Sequence, residues 1–371
     1  MGHFAILWLM MQKQKFIRAV VALTLVAFLA GVGSPLANAA TNTPTPSGPI
    51  NFAVSPPSVA VVAQPGKPMS VDIRVENQSN VSENIKATVM KFTAEGETGL
   101  PNIRKFEPSD DFAKWAQVTP AVFSAEPNEW KTIKLNIDPP KSAAFGYYYA
   151  VLFSRADSPP ALQKGKNNLQ GAFASLILLD VNAPGAIRKV EVADFSTSSH
   201  ISEFLPTNFN VRMHNTGNTH VGVSGSIAIS KHNKMVAQID VNSSKGYILP
   251  KSYRSFTSKW TDGAPSYQIK KDVSGKPVLD GSGVPETTLV WDKTSLSKLR
   301  FGKYDARLVM IYNDGHGDVS TSAKLSFWVI PWRIIFGIAL VAILIIAGFY
   351  TIVLRPARRR LSHKRTYVDR S

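Results

Sequence analysis

Twenty-one consecutive residues, Ile334–Leu354, carry no charge and are almost wholly apolar. At about 1.5 Å of rise per residue, a helix of that length crosses the ~30 Å hydrocarbon core of a bilayer, and it satisfies its own backbone there. The rival reading is a buried helix of a soluble protein, and the flanks argue against it. Trp328 and Trp332 stand at one border, where interfacial aromatics collect, and Arg355, Arg358, Arg359, Arg360, Lys364 and Arg365 follow the other. Positive residues stay on the cytoplasmic side. The expected protein is therefore a single-pass one of the plasma membrane. Residues 355–371 form a basic cytoplasmic tail on anionic lipid, and residues 40–330 are extracellular.

The other end reads as a signal peptide over 1–39. Lys13, Lys15 and Arg18 precede the apolar run Ala19–Ala30, and small residues Ala37-Asn38-Ala39 then offer a cleavage site, the plan of a secretory leader. An uncleaved anchor is the alternative, but the apolar run is short for a span. The apolar segment Phe4–Met11 ahead of the charges fits this plan poorly, and a start at Met10 or Met11 would remove it. Residues 40–49 are a Pro/Thr-rich stub that cannot bury a core. Much of the formal charge of +16 sits in leader and tail, which argues against nucleic acid as a partner. The chain has no cysteine, so disulfides, thiolate metal sites and cysteine nucleophiles are excluded.

Between these ends the pattern is one of short, alternating runs rich in β-branched and aromatic residues, separated by turn residues, as in antiparallel sandwiches. Three landmarks recur in order. Val71-x-Ile73-Arg74-Val75-x-Asn77 returns as Phe209-x-Val211-Arg212-Met213-x-Asn215. Pro127-x-x-Trp130 returns as Pro250-x-x-Tyr253, and Phe145-Gly146-x-Tyr148-x-Ala150-x-Leu152 matches Phe301-Gly302-x-Tyr304-x-Ala306-x-Leu308. The repeat predicts an all-β fold: two tandem Ig-like β-sandwich domains, 50–183 and 187–330, plus the C-terminal transmembrane helix at 334–354. Unequal spacing of the landmarks predicts an insertion near Thr93–Ala125 in the first domain and another near Asp262–Glu286 in the second. Tyr148 and Tyr304 are expected to lock the corner of each sandwich through their hydroxyls.

No catalytic motif is present, neither a nucleophile elbow, a zinc-protease helix nor a phosphate loop, so the chain is expected not to be an enzyme and to need no cofactor. His214 and His220 flank one turn but lack a third metal ligand, and the expectation is a pair of exposed turn histidines. Asn313–Asp318 has calcium-loop composition, yet an Asp-Gly hairpin turn explains it. Candidate binding residues are Tyr147 and Tyr149, which have no aromatic counterpart in the repeat, together with Arg104, Lys105 and Trp115 of the first insertion. Flat aromatic faces beside charge suit sugar stacking.

Almost the whole chain resembles the WxL-interacting surface proteins of Gram-positive bacteria. The resemblance rests on Ser58-Val59-Ala60-Val61-x-x-x-Pro65-Gly66, the strand into Asn77, the Pro127 landmark, and Pro139-Pro140 followed by Gly146-Tyr147-Tyr148. It implies a first domain that binds peptidoglycan and a second that meets protein partners, without residue-level sites. The expected function is an adhesion or scaffold module holding cell-wall polymer or another surface protein. The alternative is an accessory subunit of a membrane transport or wall-synthesis complex, with the ectodomain as spacer.

Overall fold

The computed structural model describes residues 50–157, 172–291 and 298–354; the expected signal peptide, stub and basic tail lie outside the described residues. The described chain is mostly strand, followed by one apolar helix. Ten strands make the first half: β1 (Phe52–Ser55), β2 (Ser58–Ala63), β3 (Met69–Asn77), β4 (Glu83–Glu95), β5 (Leu100–Arg104), β6 (Ala116–Thr119), β7 (Val122–Ala125), β8 (Trp130–Ile137), β9 (Phe145–Arg155) and β10 (Ala172–Val181). One sheet has the order β1-β3-β8-β6; the other runs β2-β10-β9-β4-β5, with β7 also on β4. The period-two pattern decides which side chains lie between them. Val71, Ile73 and Val75 of β3 and Ile133, Leu135 and Ile137 of β8 are buried, and the residues between them point outward. Each fully buried aliphatic side chain contributes roughly 1.5–3 kcal/mol.

The chain's first strand is divided between the sheets. β1 runs antiparallel to β3, whereas β2 runs parallel to β10. Pro56 and Pro57 stand at the crossing, where a residue without an N–H leaves no donor unpaired.

The second half repeats this plan with β11 (Val190–Thr197), β12 (Ile201–Ser202), β13 (Thr207–Asn215), β14 (Val221–Lys231), β15 (Lys234–Val241), β16 (Tyr247–Ile248), β17 (Tyr253–Trp260), β18 (Ser266–Ile269), β19 (Thr287–Val290), β20 (Gly302–Asn313) and β21 (Asp318–Val329). Its sheets are β11-β13-β17 and β12-β21-β20-β14-β15, with β16 on β14. Again the first strand is divided, and β12 lies parallel to β21. The core includes Phe209, Val211, Met213, Ile227, Trp260, Tyr304, Leu308 and Phe327. Among the described residues the extra elements are β6 in the first half and the separate hairpin β18–β19 in the second. β5 and β7 recur as β15 and β16, so the surplus in the first half is narrower than Thr93–Ala125 and covers about residues 105–121.

Two of the three sequence landmarks coincide atom by atom. Buried Asn77 donates to the carbonyls of Val81 (2.8 Å) and Ala125 (2.9 Å) and accepts from the Ser79 N–H. Buried Asn215 donates to Thr219 (2.8 Å) and Ile248 (2.9 Å) and accepts from the Gly217 N–H. Asn128 and Lys251, each one residue after the landmark proline, share a left-handed φ of 60° and 57°. Arg74 lies over Trp130 as Arg212 lies over Tyr253.

The third landmark slips by one residue. Tyr304 accepts a hydrogen bond from the Phe301 N–H (3.2 Å), and in the first half it is Tyr147, not Tyr148, that accepts from the Ala144 N–H (3.3 Å). The left-handed residue that begins the strand is Gly302 in one half and Phe145 in the other, with φ of 104° and 70°. Tyr147 is therefore the corner residue, and Tyr148 faces the opposite side of its sheet. There it joins Met90, Phe92, Ala150, Leu152 and Leu178 in a third apolar cluster, to which Tyr247 and Leu249 of the second half add.

The halves are joined at this cluster and along the connecting segment. Arg188 pairs with Asp180, the Asn218 amide donates to the Gly185 carbonyl, and Arg212 forms a bidentate pair with Glu97 at 2.7–2.9 Å. After β21 comes α1 (Trp332–Phe349), extended by a π-helical turn over Tyr350–Leu354. The stretch Trp332–Ile352 is long and apolar enough to cross a membrane, and none of it packs inside the protein.

Candidate functional site

The surplus segment of the first half is the part its strand plan does not require, and it is held firmly. Phe106, Phe112 and Trp115 turn inward onto β9, where Tyr147 and Tyr149 meet them. Aromatic pairs in such edge-on arrangements add about 0.5–1.5 kcal/mol beyond burial. Between these rings a 3-10 turn, Asp111–Lys114, is anchored by Lys91 of β4, which pairs with Asp110 at 2.6 Å and Glu107 at 3.0 Å. The hydrogen bond that Lys91 donates holds the Asp110 carboxyl below the usual carboxylate range, and the same bond raises the Lys91 ammonium. Asp110 also accepts from the Glu107 N–H at 2.6 Å.

This packing corrects one expectation. Tyr149 is completely buried, and its hydroxyl donates to the Phe112 carbonyl at 3.0 Å. It fastens the surplus segment to the sheet and offers no surface to a ligand. Alternation correctly placed Tyr147 and Tyr149 on one face, but that face is the inner one, because the left-handed Phe145 sets the direction of the strand. Tyr147 is half-buried behind Trp115, their ring centres 4.6 Å apart. Arg104 and Lys105 are exposed at the end of β5. Of the five expected site residues, Trp115 lines a groove.

That groove, of about 600 Å³, runs along the β6 edge and is lined by Trp115, Lys114, Gln117, Asn136 and Asp138, with Met69 and Ile137 among its apolar contacts. Gln117 and Asn136 are direct cross-strand partners on the outward face. Asp138 is fixed where its N–H donates to the Trp115 carbonyl at 2.8 Å. An aromatic ring beside two amides, a carboxylate and an ammonium provides an apolar platform ringed by donors and acceptors, suited to a polyhydroxylated chain. The amides were missed in the sequence because each is an ordinary outward residue of a strand. Only the β6–β8 register brings them together.

His220 also departs from expectation. It is buried at the joint, its ring 5.8 Å from Tyr148 and 5.2 Å from Tyr247. Burial lowers its pKa to about 4, with Asp180 opposing and Arg188 assisting. His214 instead stacks on Tyr253 at 4.1 Å. Among the described residues no group of three His, Cys, Asp or Glu side chains is arranged to hold a metal. The Asn313–Asp318 segment is a hairpin turn, with Asn313 paired to Asp318 across it.

No family model matches the chain, and no curated protein matches it. Among solved structures it is similar to the class 5 fimbriae chaperone CfaA, at 16% identity over 73% of this chain and 98% of that one, with a TM-score of 0.35. It is similar to the CupB2 chaperone of Pseudomonas aeruginosa (14% identity, 74% and 100% covered, TM-score 0.31) and to the E. coli chaperone DraB (13%, 74% and 98%, 0.29). At such low scores these structures say nothing about what this chain binds.

Proposed function

We propose that this chain is a membrane-anchored, non-enzymatic surface protein that holds cell-wall polymer through its first half, in the manner of the WxL-interacting proteins it resembles. In this reading the two sheet pairs are tandem Ig-like sandwiches over 50–183 and 187–330. The helix at 334–354 anchors them with the basic tail in the cytoplasm, and the second half meets a partner protein. The observation that carries the reading is the groove beside Trp115. It lies where a segment that the repeated strand plan does not need meets the ends of β3 and β8, and that segment is secured by an ion-paired turn and five aromatic rings. A spacer would have no use for such a construction.

The test is retention of the detergent-solubilised chain on isolated cell-wall sacculi. Trp115→Ala and Gln117→Ala are expected to lower retention at least tenfold while the thermal transition stays cooperative. Substituting Arg104 and Lys105 by Gln is expected to change it less, since neither lines the groove. Equal retention of the Trp115 variant removes the groove from the reading. Failure of the native chain to bind sacculi, together with co-purification of a polytopic membrane protein through the helix, favours the accessory-subunit role instead.

A further inference from the structure

A second cavity, of about 310 Å³, lies where the two halves meet, far from the requirements of either core. One wall is the outer face of the first half, with Phe92 of β4, Leu100 of β5, and Leu176 and Leu178 of β10. The other is the segment Ser244–Leu249 with the start of β17. Apolar side chains with convergent polar groups at an interface between two sheet pairs are the usual makings of a small-molecule site, and the volume is near the lower end of the ~300–1,000 Å³ such sites span. The polar content is one-sided. Lys245 and Arg254 line the cavity, and among the described residues no aspartate or glutamate does.

Arg254 is the unusual member. Its Nη1 donates to the Tyr247 carbonyl at 2.6 Å, but its Nε is buried without a hydrogen-bond partner among the described residues. Burial lowers its pKa, and among the described residues no carboxylate opposes that. Glu97, two residues before Gly99, is already taken by Arg212 and by the Ser255 hydroxyl at 2.9 Å. Two glycines make room for the guanidinium: a Cβ at Gly99 would stand 2.4 Å from its carbon, and one at Gly246 would stand 2.6 Å from Nη2. A guanidinium partly withdrawn from water, with its Nε unpaired, is costly to keep unless a counter-ion completes it, and a carboxylate is the group that accepts parallel hydrogen bonds from a guanidinium.

We propose that the cavity between the halves binds a single-chain anionic amphiphile. Its acyl chain lies against Phe92, Leu176, Leu178 and Tyr247, and its carboxylate is held by Arg254 with Lys245 at the rim. The site is separate from the Trp115 groove and does not depend on what that groove binds. A ligand there would also bridge β4, β5 and β10 of one half to β17 of the other, adding to the joint that Glu97 and Arg212 make.

The experiment uses the full chain in nanodiscs of zwitterionic lipid, titrated calorimetrically with octanoate against empty-nanodisc blanks. Octyltrimethylammonium supplies the same tail with the opposite charge, and acetate the head without the tail. Saturable binding of octanoate is expected, with neither control matching it. Arg254→Met should weaken it by about tenfold to a hundredfold, the usual value of a hydrogen bond to a charged group, and Arg254→Lys should weaken it less. Trp115→Ala should leave it unchanged. Absence of saturable octanoate binding, equal binding of the cationic amphiphile, or unchanged binding by a folded Arg254→Met variant overturns the proposal. Acetate binding as tightly as octanoate overturns its apolar half. Should Arg254→Met fail to fold, the three ligands compared on the native chain still decide between these outcomes.

Discussion

The strands β9 and β20 occupy the same place in their halves and open with the same residue string, yet they turn it opposite ways. In β20, Tyr304, Ala306 and Leu308 face their own core, and the residues between them are exposed. In β9, Tyr148, Ala150 and Leu152 face the joint with the second half, while Tyr149, Val151 and Phe153 fill the core. β20 needs apolar residues on one face only. β9 needs them on both, and from Tyr149 to Arg155 every residue is buried. A matching string is therefore compatible with two registers, and the left-handed residue at the strand's start, Phe145 or Gly302, decides which one is adopted.

The largest difference between these strands lies at their far ends. Arg155 of β9 forms a buried pair with Glu83 of β4, Nε to Oε2 at 2.7 Å, and the hydrogen bond it donates to Glu83 raises the Arg155 pKa. At the matching places the second half has Tyr312 and Val221, by the shared register of β4 and β14 against their neighbours. Removing one member of a buried pair costs about 3–5 kcal/mol. Glu83→Ala is expected to lose that much in chemical unfolding. Glu83→Val with Arg155→Tyr, which copies the second half, should lose clearly less than Glu83→Ala alone. If the double change is the worse of the two, the halves are not interchangeable at this position.

A second contrast concerns His220, buried at the joint, where the first half has the exposed Ser82. The folded chain holds His220 to about 4, below its ordinary 6.5. Between those values the unfolded chain binds a proton that the folded chain refuses, so this stability contribution is complete above about pH 6.5 and is lost as pH falls toward 4. From pH 7 to pH 5 the loss is about 2 kcal/mol. Carboxylates elsewhere also respond to acid, so the measurement is a difference between the native chain and His220→Phe. The variant is expected to lose less stability over that interval, and equal slopes would remove His220 from the joint's pH response.

Much of this architecture was legible in the sequence. The alternation of β3 and β13, and the buried asparagines that end them, could be read because each rests on residues close together in the chain. The apolar helix was legible for the same reason. What escaped depends on contacts across the fold. Tyr149 reads as a spare aromatic until Phe112 is seen to accept its hydroxyl bond, and Gln117 and Asn136 become neighbours only through the β6–β8 register. One signal for the joint was present and unused: the unbroken run Tyr147–Phe153 followed by Leu176–Leu179 is too apolar for strands with a wet face. Arg254 carried no such mark, because its isolation from carboxylates is a property of the assembled halves.

The smallest expected effect separates the two registers most directly. If Tyr147 and Tyr304 are the corner residues, each hydroxyl accepts one backbone N–H, from Ala144 and Phe301 respectively. Tyr147→Phe and Tyr304→Phe keep the ring and leave that donor unpaired, so each should cost about 1 kcal/mol. Their effects should add, because the two sites share no partner. Tyr148→Phe is the control that a simple alignment of the two strings would get wrong. Its hydroxyl is buried without a well-formed hydrogen bond, and removing a buried polar atom that has no partner is neutral or stabilising. Three unfolding curves thus assign the register without a structure. A loss at Tyr148 equal to that at Tyr304, with none at Tyr147, would mean that the string faces the same way in both halves.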